Sequence, residues 1–163
     1  YVSRDGGRNF YQKQPKEEFP VCDFGYIDTA NKTEVRGEGG KTGIFYLALG
    51  DAGLYKLCYD TKTEEIHVKR LTDTGDACYR MGLGVIGEDR DYLTEEKAIY
   101  FCGRLEGEYG FYRTFDEGKS YERLNQDNQM YGEINSIDGD KRKFGRFFLA
   151  TGSRGVLYGE MKR

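Results

Sequence analysis

Apolar residues recur along this chain in short runs separated by glycine and polar positions. The runs are "VCDFGYI" (21–27), "GIFYLAL" (43–49), "GLYKLC" (53–58), "EIHVKRL" (65–71), "MGLGVIG" (81–87), "AIYFCG" (98–103), "GFYRTF" (110–115), "YGEINSI" (131–137), "RFFLATG" (146–152) and "GVLYGEM" (155–161). Each has the length of a strand, is rich in Tyr, Phe, Val and Ile, and is bounded by Gly, Asp, Asn or Lys. "EIHVKRL" alternates as a half-exposed edge strand does, whereas "IFYLAL", "AIYFC" and "RFFLA" are continuously apolar and predict burial on both faces. No stretch combines helix caps with a 3.6-residue stripe for more than a turn or two. The best helical candidate, 91–97, runs straight into a strand.

The runs also repeat in order. An apolar run followed by a Tyr-bearing strand occurs in "GIFYLALGDAGLYKL", "AIYFCGRLEGEYGFYRT" and "RFFLATGSRGVLYGE". The aligned tyrosines, Tyr55, Tyr112 and Tyr158, stand 57 and 46 residues apart. A further strand precedes each pair, and a period of about 50 residues built from four short strands is the pattern of propeller blades. The expected fold class is all-β, made of four-stranded antiparallel β-propeller blades in an incomplete ring. Residues 1–12 would supply the end of one blade, 20–72 and 79–124 two full blades, and 131–161 a partial last blade. Propellers close with about four to eight blades. The chain, whose residue 1 already sits inside a motif, is therefore expected to be part of a longer protein.

Composition narrows the partners. The 163 residues include 23 Gly, 14 Tyr and 10 Phe but no Trp, and the net charge is −3. Lys and Arg are scattered among Asp and Glu without a basic stripe, which argues against nucleic acid. No apolar run approaches the ~20 residues of a membrane helix, so no membrane partner is expected.

One turn is spelled twice. "YVSRDGGRNF" (1–10) and "YRTFDEGKSY" (112–121) keep step as Ser/Thr-x-Asp-x-Gly-x-Ser/Thr/Asn-aromatic. Asp5 and Asp116 can accept hydrogen bonds from N–H groups of their own turn. Gly7 and Gly118 suit a positive φ. Ser3, Thr114, Asn9 and Ser120 can bond across the hairpin, and Phe10 and Tyr121 are expected to set a ring against the next blade. The pattern resembles the Asp-box of sialidase-like propellers. That resemblance implies a structural role on the outer rim, away from any active site. The 20–72 blade lacks such a box, since "YKLCYDTKTEE" has no Gly at the turn.

The tail carries a sharper resemblance. "ERLNQDNQMYG", "DGDKRKFGR" and "ATGSRGVLYGE" follow the second box in the order seen at the C-terminal end of the glycoside hydrolase family 74 xyloglucanases, and "GIFYLALGDAGLYKL" and "MGLGVIGEDRDYLTEEKAIYFCG" resemble the family's preceding blades. The resemblance implies a C-terminal portion of a seven-bladed propeller, facing a second, N-terminal propeller across a cleft that holds a β-1,4-glucan backbone. It implies inverting hydrolysis by two aspartates, one protonating the leaving oxygen and one activating water. No residue here matches either aspartate motif, so no catalytic residue is assigned. The expected partners are a β-glucan polysaccharide such as xyloglucan and the remaining blades of the parent protein, with no cofactor. The expected location is extracellular.

Individual side chains add little catalytic signal. Tyr131, Gln129 and Asn128 sit in a loop feeding an innermost strand, where such loops reach the cleft and a Tyr can stack on sugar; the plain alternative is a packed loop. Asp23 and Glu133 are weak acid–base candidates, and Arg154 is expected to bridge blades or the domain junction. His67 is the only histidine, and no Cys-x-x-Cys spacing exists, so no metal site is expected. Cys22, Cys58, Cys78 and Cys102 permit two disulfides in three connectivities, of which Cys58–Cys78 is the most plausible pair in a secreted protein. The rival to a glycosidase is a non-catalytic propeller module that binds polysaccharide or a protein partner. A sialidase-like exo-enzyme is weaker still, because no arginine cluster with a Tyr nucleophile is marked. Both ends of the stack would be open, so the chain is expected to fold poorly without further blades.

Overall fold

A computed structural model describes residues 1–18, 28–37, 40–90, 92 and 96–161, with backbone alone between 28 and 42. Regular structure among the described residues is entirely β. The strands are β1 (Asp28–Gly37), β2 (Gly40–Ala48), β3 (Leu54–Asp60), β4 (Ile66–Arg70), β5 (Ala77–Gly84), β6 (Ala98–Leu105), β7 (Glu108–Thr114), β8 (Glu122–Arg123), β9 (Ile134–Gly139), β10 (Phe147–Thr151) and β11 (Val156–Gly159). They form three antiparallel meanders in chain order: β1-β2-β3-β4, β5-β6-β7-β8, and the three-stranded β9-β10-β11. The sheets do not close into a ring. Residues Val2 and Tyr11 form a separate hairpin bridge ahead of the first sheet.

The sheets stack like neighbouring blades. The first strand of the second sheet, β5, lies against the first strands of both neighbours, β1 and β9. Two cores fill the spaces between. Tyr46, Ala48 and Leu54 of the first sheet meet Met81, Leu83, Ile99 and Phe101 of the second. Tyr100, Cys102 and Phe111 of the second meet Ile134, Ile137 and Leu149 of the third. This division explains the unbroken apolar run "AIYFC". Successive side chains of a strand point to opposite faces; Ile99 and Phe101 enter one core while Tyr100 and Cys102 enter the other.

Glycine permits the closest contacts between sheets. A Cβ at Gly139 would come within 2.7 Å of the Gly84 Cα, and one at Gly82 would overlap the Ile137 carbonyl oxygen. Inside the second sheet, a Cβ at Gly103 would overlap the Ala77 carbonyl oxygen.

Some expectations change, and others fall wholly or partly outside the described residues. The run 21–27, with Asp23 and Cys22, lies outside the described residues, while β1 forms from "DTANKTEVRG", which has no apolar alternation. Its strand character comes from pairing with β2, interrupted by a bulge between Ala30 and Thr33. "RFFLA" is buried on one face only. Leu149 is enclosed but Phe148 is 38% exposed, because no sheet among the described residues covers the far side of β10. The Cys58–Cys78 disulfide does not form: both residues carry thiols, Cys78 buried in the first inter-sheet core and Cys58 at its margin. Of 91–97, residues 91 and 93–95 lie outside the described residues; Tyr92 lies in a turn and residues 96–97 lead straight into β6, as expected of that end.

Candidate functional site

The two repeated turns are built alike. The hydroxyls of Ser3 and Thr114 donate to Oδ1 of Asp5 and Asp116 at 3.0 and 2.8 Å and accept the N–H of Gly7 and Gly118 at 2.7 and 2.9 Å. The same Oδ1 atoms accept the N–H of Asn9 and Ser120, both at 2.9 Å, and Ser120 Oγ donates to Asp116 Oδ2 at 2.6 Å. Two consecutive left-handed residues close each turn, Gly6–Gly7 (φ 72° and 90°) and Glu117–Gly118 (φ 55° and 84°). Glycine takes the second left-handed position in both, where a side chain would be strained. These donors hold the Asp116 carboxyl down to about 2, with the Ser120 hydroxyl and N–H foremost. Asp5 is lowered in the same sense, chiefly by Asn9.

The aromatic residue that ends each turn behaves differently. Tyr121 sets its ring edge-on to Phe101 at 5.7 Å and donates its hydroxyl to the Leu71 carbonyl at 2.8 Å. Phe10 does not pack in this way and stays 62% exposed. Among the described residues its hairpin pairs only through the Val2–Tyr11 bridge. It is held by Arg4 and Lys13 on Glu64 and by the Lys16 N–H on the Ile66 carbonyl. Glu64 itself takes the left-handed position (φ 59°) of the β3–β4 turn, the place for which "YKLCYDTKTEE" offers no glycine.

A cavity of about 490 Å³ opens between the second and third sheets. Phe111 and Arg113 of β7 line one wall, Leu149 and Leu157 the other, and Gln129 and Tyr131 stand on its rim. Asn125 fixes the rim loop. It is buried, its Oδ1 accepts the Phe111 N–H at 2.7 Å, and its amide donates to the Gln126 carbonyl at 3.2 Å. Gln129 Oε1 accepts the Gln126 N–H at 3.0 Å, so its amide braces the loop, while Asn128 is exposed. Tyr131 stacks on Phe111 with ring centres 6.3 Å apart and planes 6° from parallel. Its backbone is left-handed (φ 55°), as is that of Gly132 beside it (φ 74°). Tyr131 and Gln129 thus share the cavity rim, and Asn128 is not part of its lining. Sequence reasoning missed Asn125; a buried Asn just after a strand, able to mimic a backbone partner, was its available signal.

Charge in the cavity is paired. Arg113 is buried and donates through Nε and Nη2 to Glu122 Oε2 at 2.9 and 2.6 Å, with its guanidinium 5.0 Å from the Phe115 ring centre. Beneath it, burial pushes the Tyr100 hydroxyl up to about 12, partly opposed by Arg113. The remaining candidates stand elsewhere. Glu133 is exposed just ahead of β9, and its carbonyl accepts the Gly152 N–H at 2.9 Å. Arg154 is exposed in the β10–β11 turn with its own N–H on Thr151 Oγ1 at 2.8 Å, so the expected inter-sheet bridge is not made among the described residues. His67 meets Glu17 at 3.0 Å and Glu65 at 3.5 Å on the outer strand β4. Among the described residues no group of three or more His, Cys, Asp or Glu is placed to hold a metal ion.

No family model matches the chain. It is 31% identical to Xyloglucanase Xgh74A of Acetivibrio thermocellus over 98% of its own length and 17% of that protein. It is 30% identical to the oligoxyloglucan-reducing end-specific xyloglucanase of Emericella nidulans over 99% of its length and 19% of that protein. The chain therefore spans less than a fifth of the curated relatives it matches. Among solved structures, it superposes on the GH74 xyloglucanase of Xanthomonas campestris with a TM-score of 0.57 and 26% identity, covering 81% of this chain and 17% of that one. The Niastella koreensis GH74 enzyme shares the fold, with a TM-score of 0.56 at 24% identity over 71% of this chain and 16% of that one.

Proposed function

We propose, from a chain whose homologues over nearly its whole length are glycoside hydrolase family 74 xyloglucanases, that these residues are the C-terminal portion of a propeller in a secreted enzyme that cleaves the β-1,4-glucan backbone of xyloglucan. The observation that carries the reading is the 31% identity with a xyloglucanase across 98% of the chain. The three ordered sheets support it, since they superpose on an enzyme of that family.

The hydrolysis would need two carboxyl groups from other parts of the parent protein. One gives its proton to the departing glycosidic oxygen as the C–O bond breaks. The other takes a proton from the water that adds to the anomeric carbon from the opposite face. Inverting enzymes hold the two carboxyl groups about 6.5–9.5 Å apart to admit that water. The present residues would supply cleft wall, with the Tyr131 loop as the point of sugar contact and the two Asp turns holding the hairpins at the far end of their sheets.

The test uses the intact natural protein. Its mass should be several times 18.7 kDa, it should be found outside the cell, and it should release reducing ends from xyloglucan with the α-anomer appearing first by NMR. A natural protein of this chain's mass, or one with no xyloglucan hydrolysis, overturns the reading.

A further inference from the structure

We propose that Tyr79, Tyr109 and Tyr131 form one carbohydrate-stacking row across the end of the second sheet opposite its Asp116 turn, taking successive pyranose rings of a neutral β-glucan. The inference rests on the xyloglucan reading above and extends it from the Tyr131 loop to Tyr79 and Tyr109, which that reading does not use.

The strand register brings the three residues together. Ala77, Arg104 and Tyr109 stand level across β5, β6 and β7, so Tyr79, Tyr109 and the tight β6–β7 turn share one end of the sheet. Thr114, which opens the Asp116 turn, is at the other end of β7. The 124–133 connection adds Tyr131 to the first end. The rings then run in sequence. Tyr79 to Tyr109 is 6.4 Å, Tyr109 to Phe111 is 6.5 Å, and Phe111 to Tyr131 is 6.3 Å between centres. Phe111 is 1% exposed and forms the floor, whereas the three tyrosines remain partly open.

The chemistry fits a neutral sugar. A pyranose presents an apolar C–H face and an edge of hydroxyls, and a tyrosine presents an apolar ring and a polar tip. The polar edge has a partner in place. Asp51, exposed in the β2–β3 turn, accepts the Tyr79 hydroxyl on Oδ1 at 3.0 Å, and its Oδ2 accepts from no described residue. Of the cations at this end, Arg123 pairs with Glu108 at 2.7 Å and Asp127 at 2.9 Å, while Arg104, opposite Tyr109 across the β6–β7 pair, is exposed. Tyr131 also holds a left-handed backbone that a bulky side chain adopts only under constraint. That conformation lays its ring parallel to Phe111, at the end of the row.

The test is calorimetric titration of the intact protein with xyloglucan oligosaccharides, comparing wild type with Tyr79→Ala, Tyr109→Ala and Tyr131→Ala. Each substitution should weaken binding about tenfold, while Tyr11→Ala, on the outer hairpin, should bind as wild type. If Tyr109→Ala loses its cooperative melt, Tyr109→Trp replaces it: tighter binding through a larger ring supports the row, and unchanged binding overturns it. Loss at Tyr131 with none at Tyr79 and Tyr109 overturns the row and leaves the xyloglucan reading standing. A wild-type protein that binds no neutral glucan overturns both.

Discussion

Asp116 and Asp5 make the same hydrogen bonds in different company. Asp116 is half-buried in a turn whose Tyr121 reaches the Leu71 carbonyl, whereas Asp5 is exposed on an outer hairpin, so one substitution should have unequal effects. Asp116→Ala should cost about 1–2 kcal/mol, the worth of a turn-capping carboxylate, and Asp5→Ala less, by denaturant melts. Because the Asp116 carboxyl is held at about 2 by Ser120 and Thr114, its contribution is complete above the ordinary aspartate value of about 3.9. It is lost as the pH falls through about 2; acid melts of wild type and Asp116→Ala should converge there. Thiol chemistry gives a second check. Burial pushes the Cys58 thiol up, and Cys78 and Cys102 are buried. All three should therefore react slowly with a disulfide reagent at pH 8 and fully after unfolding. At this scale the sequence was legible where a residue bonds to its own turn, as with Asp5, Ser3 and Thr114. It was not legible where the partner is remote: nothing near Glu117 in the chain announces that its carboxylate accepts the buried Tyr46 hydroxyl at 3.0 Å and meets Lys56 of the neighbouring sheet.

Strands and sheets are held by two devices, polar ties between sheets and glycines where backbones meet. Glu117 is the clearest tie. Burial would raise its carboxyl, but the Lys56 ammonium and the Tyr46 hydroxyl outweigh it and hold the group low. Tyr46→Phe removes one hydrogen bond and should cost about 1 kcal/mol. The Glu117 tie as a whole weakens as acid protonates the carboxylate, so the Tyr46→Phe penalty should shrink at low pH. Gly82 and Gly139 test the second device. Gly82→Ala would drive a methyl into the β9 backbone and should cost about 1–3 kcal/mol as overpacking, read as a fall in melting temperature. Most strands were legible as apolar runs. β1 was not, because its residues carry no alternation and only the partner β2 makes it a strand. β10 was over-read: an unbroken apolar run says that a strand can be buried twice, and whether it is depends on what lies on its far side.

At the level of the whole molecule, apolar surface remains uncovered at both ends of the stack. Phe148, Val156 and Tyr158 are exposed on the third sheet, and Phe45, Leu47 and Leu57 line a cavity of about 470 Å³ that, among the described residues, Tyr1, Val2 and Ser3 of the first hairpin also line. The 163 residues alone should therefore melt over a broad range and bind a hydrophobic dye, and a sharp two-state transition would refute this. The repeat period made the stacked sheets legible, but not the cavity between the second and third of them, because the period counts strands and is silent about which loops meet. The glycine contacts carry one more consequence. Where Gly82 faces Ile137 and Asp138 and Gly84 faces Gly139 the sheets touch backbone to backbone, while farther out the same two sheets stand apart around Phe111, Arg113 and Leu157. The sheet pair is thus a keystone, thin at the hub and thick at the rim. The taper of a keystone sets how many fit in a full circle, so a methyl group at the hub would blunt the taper and change the number of sheets with which such an arch could close.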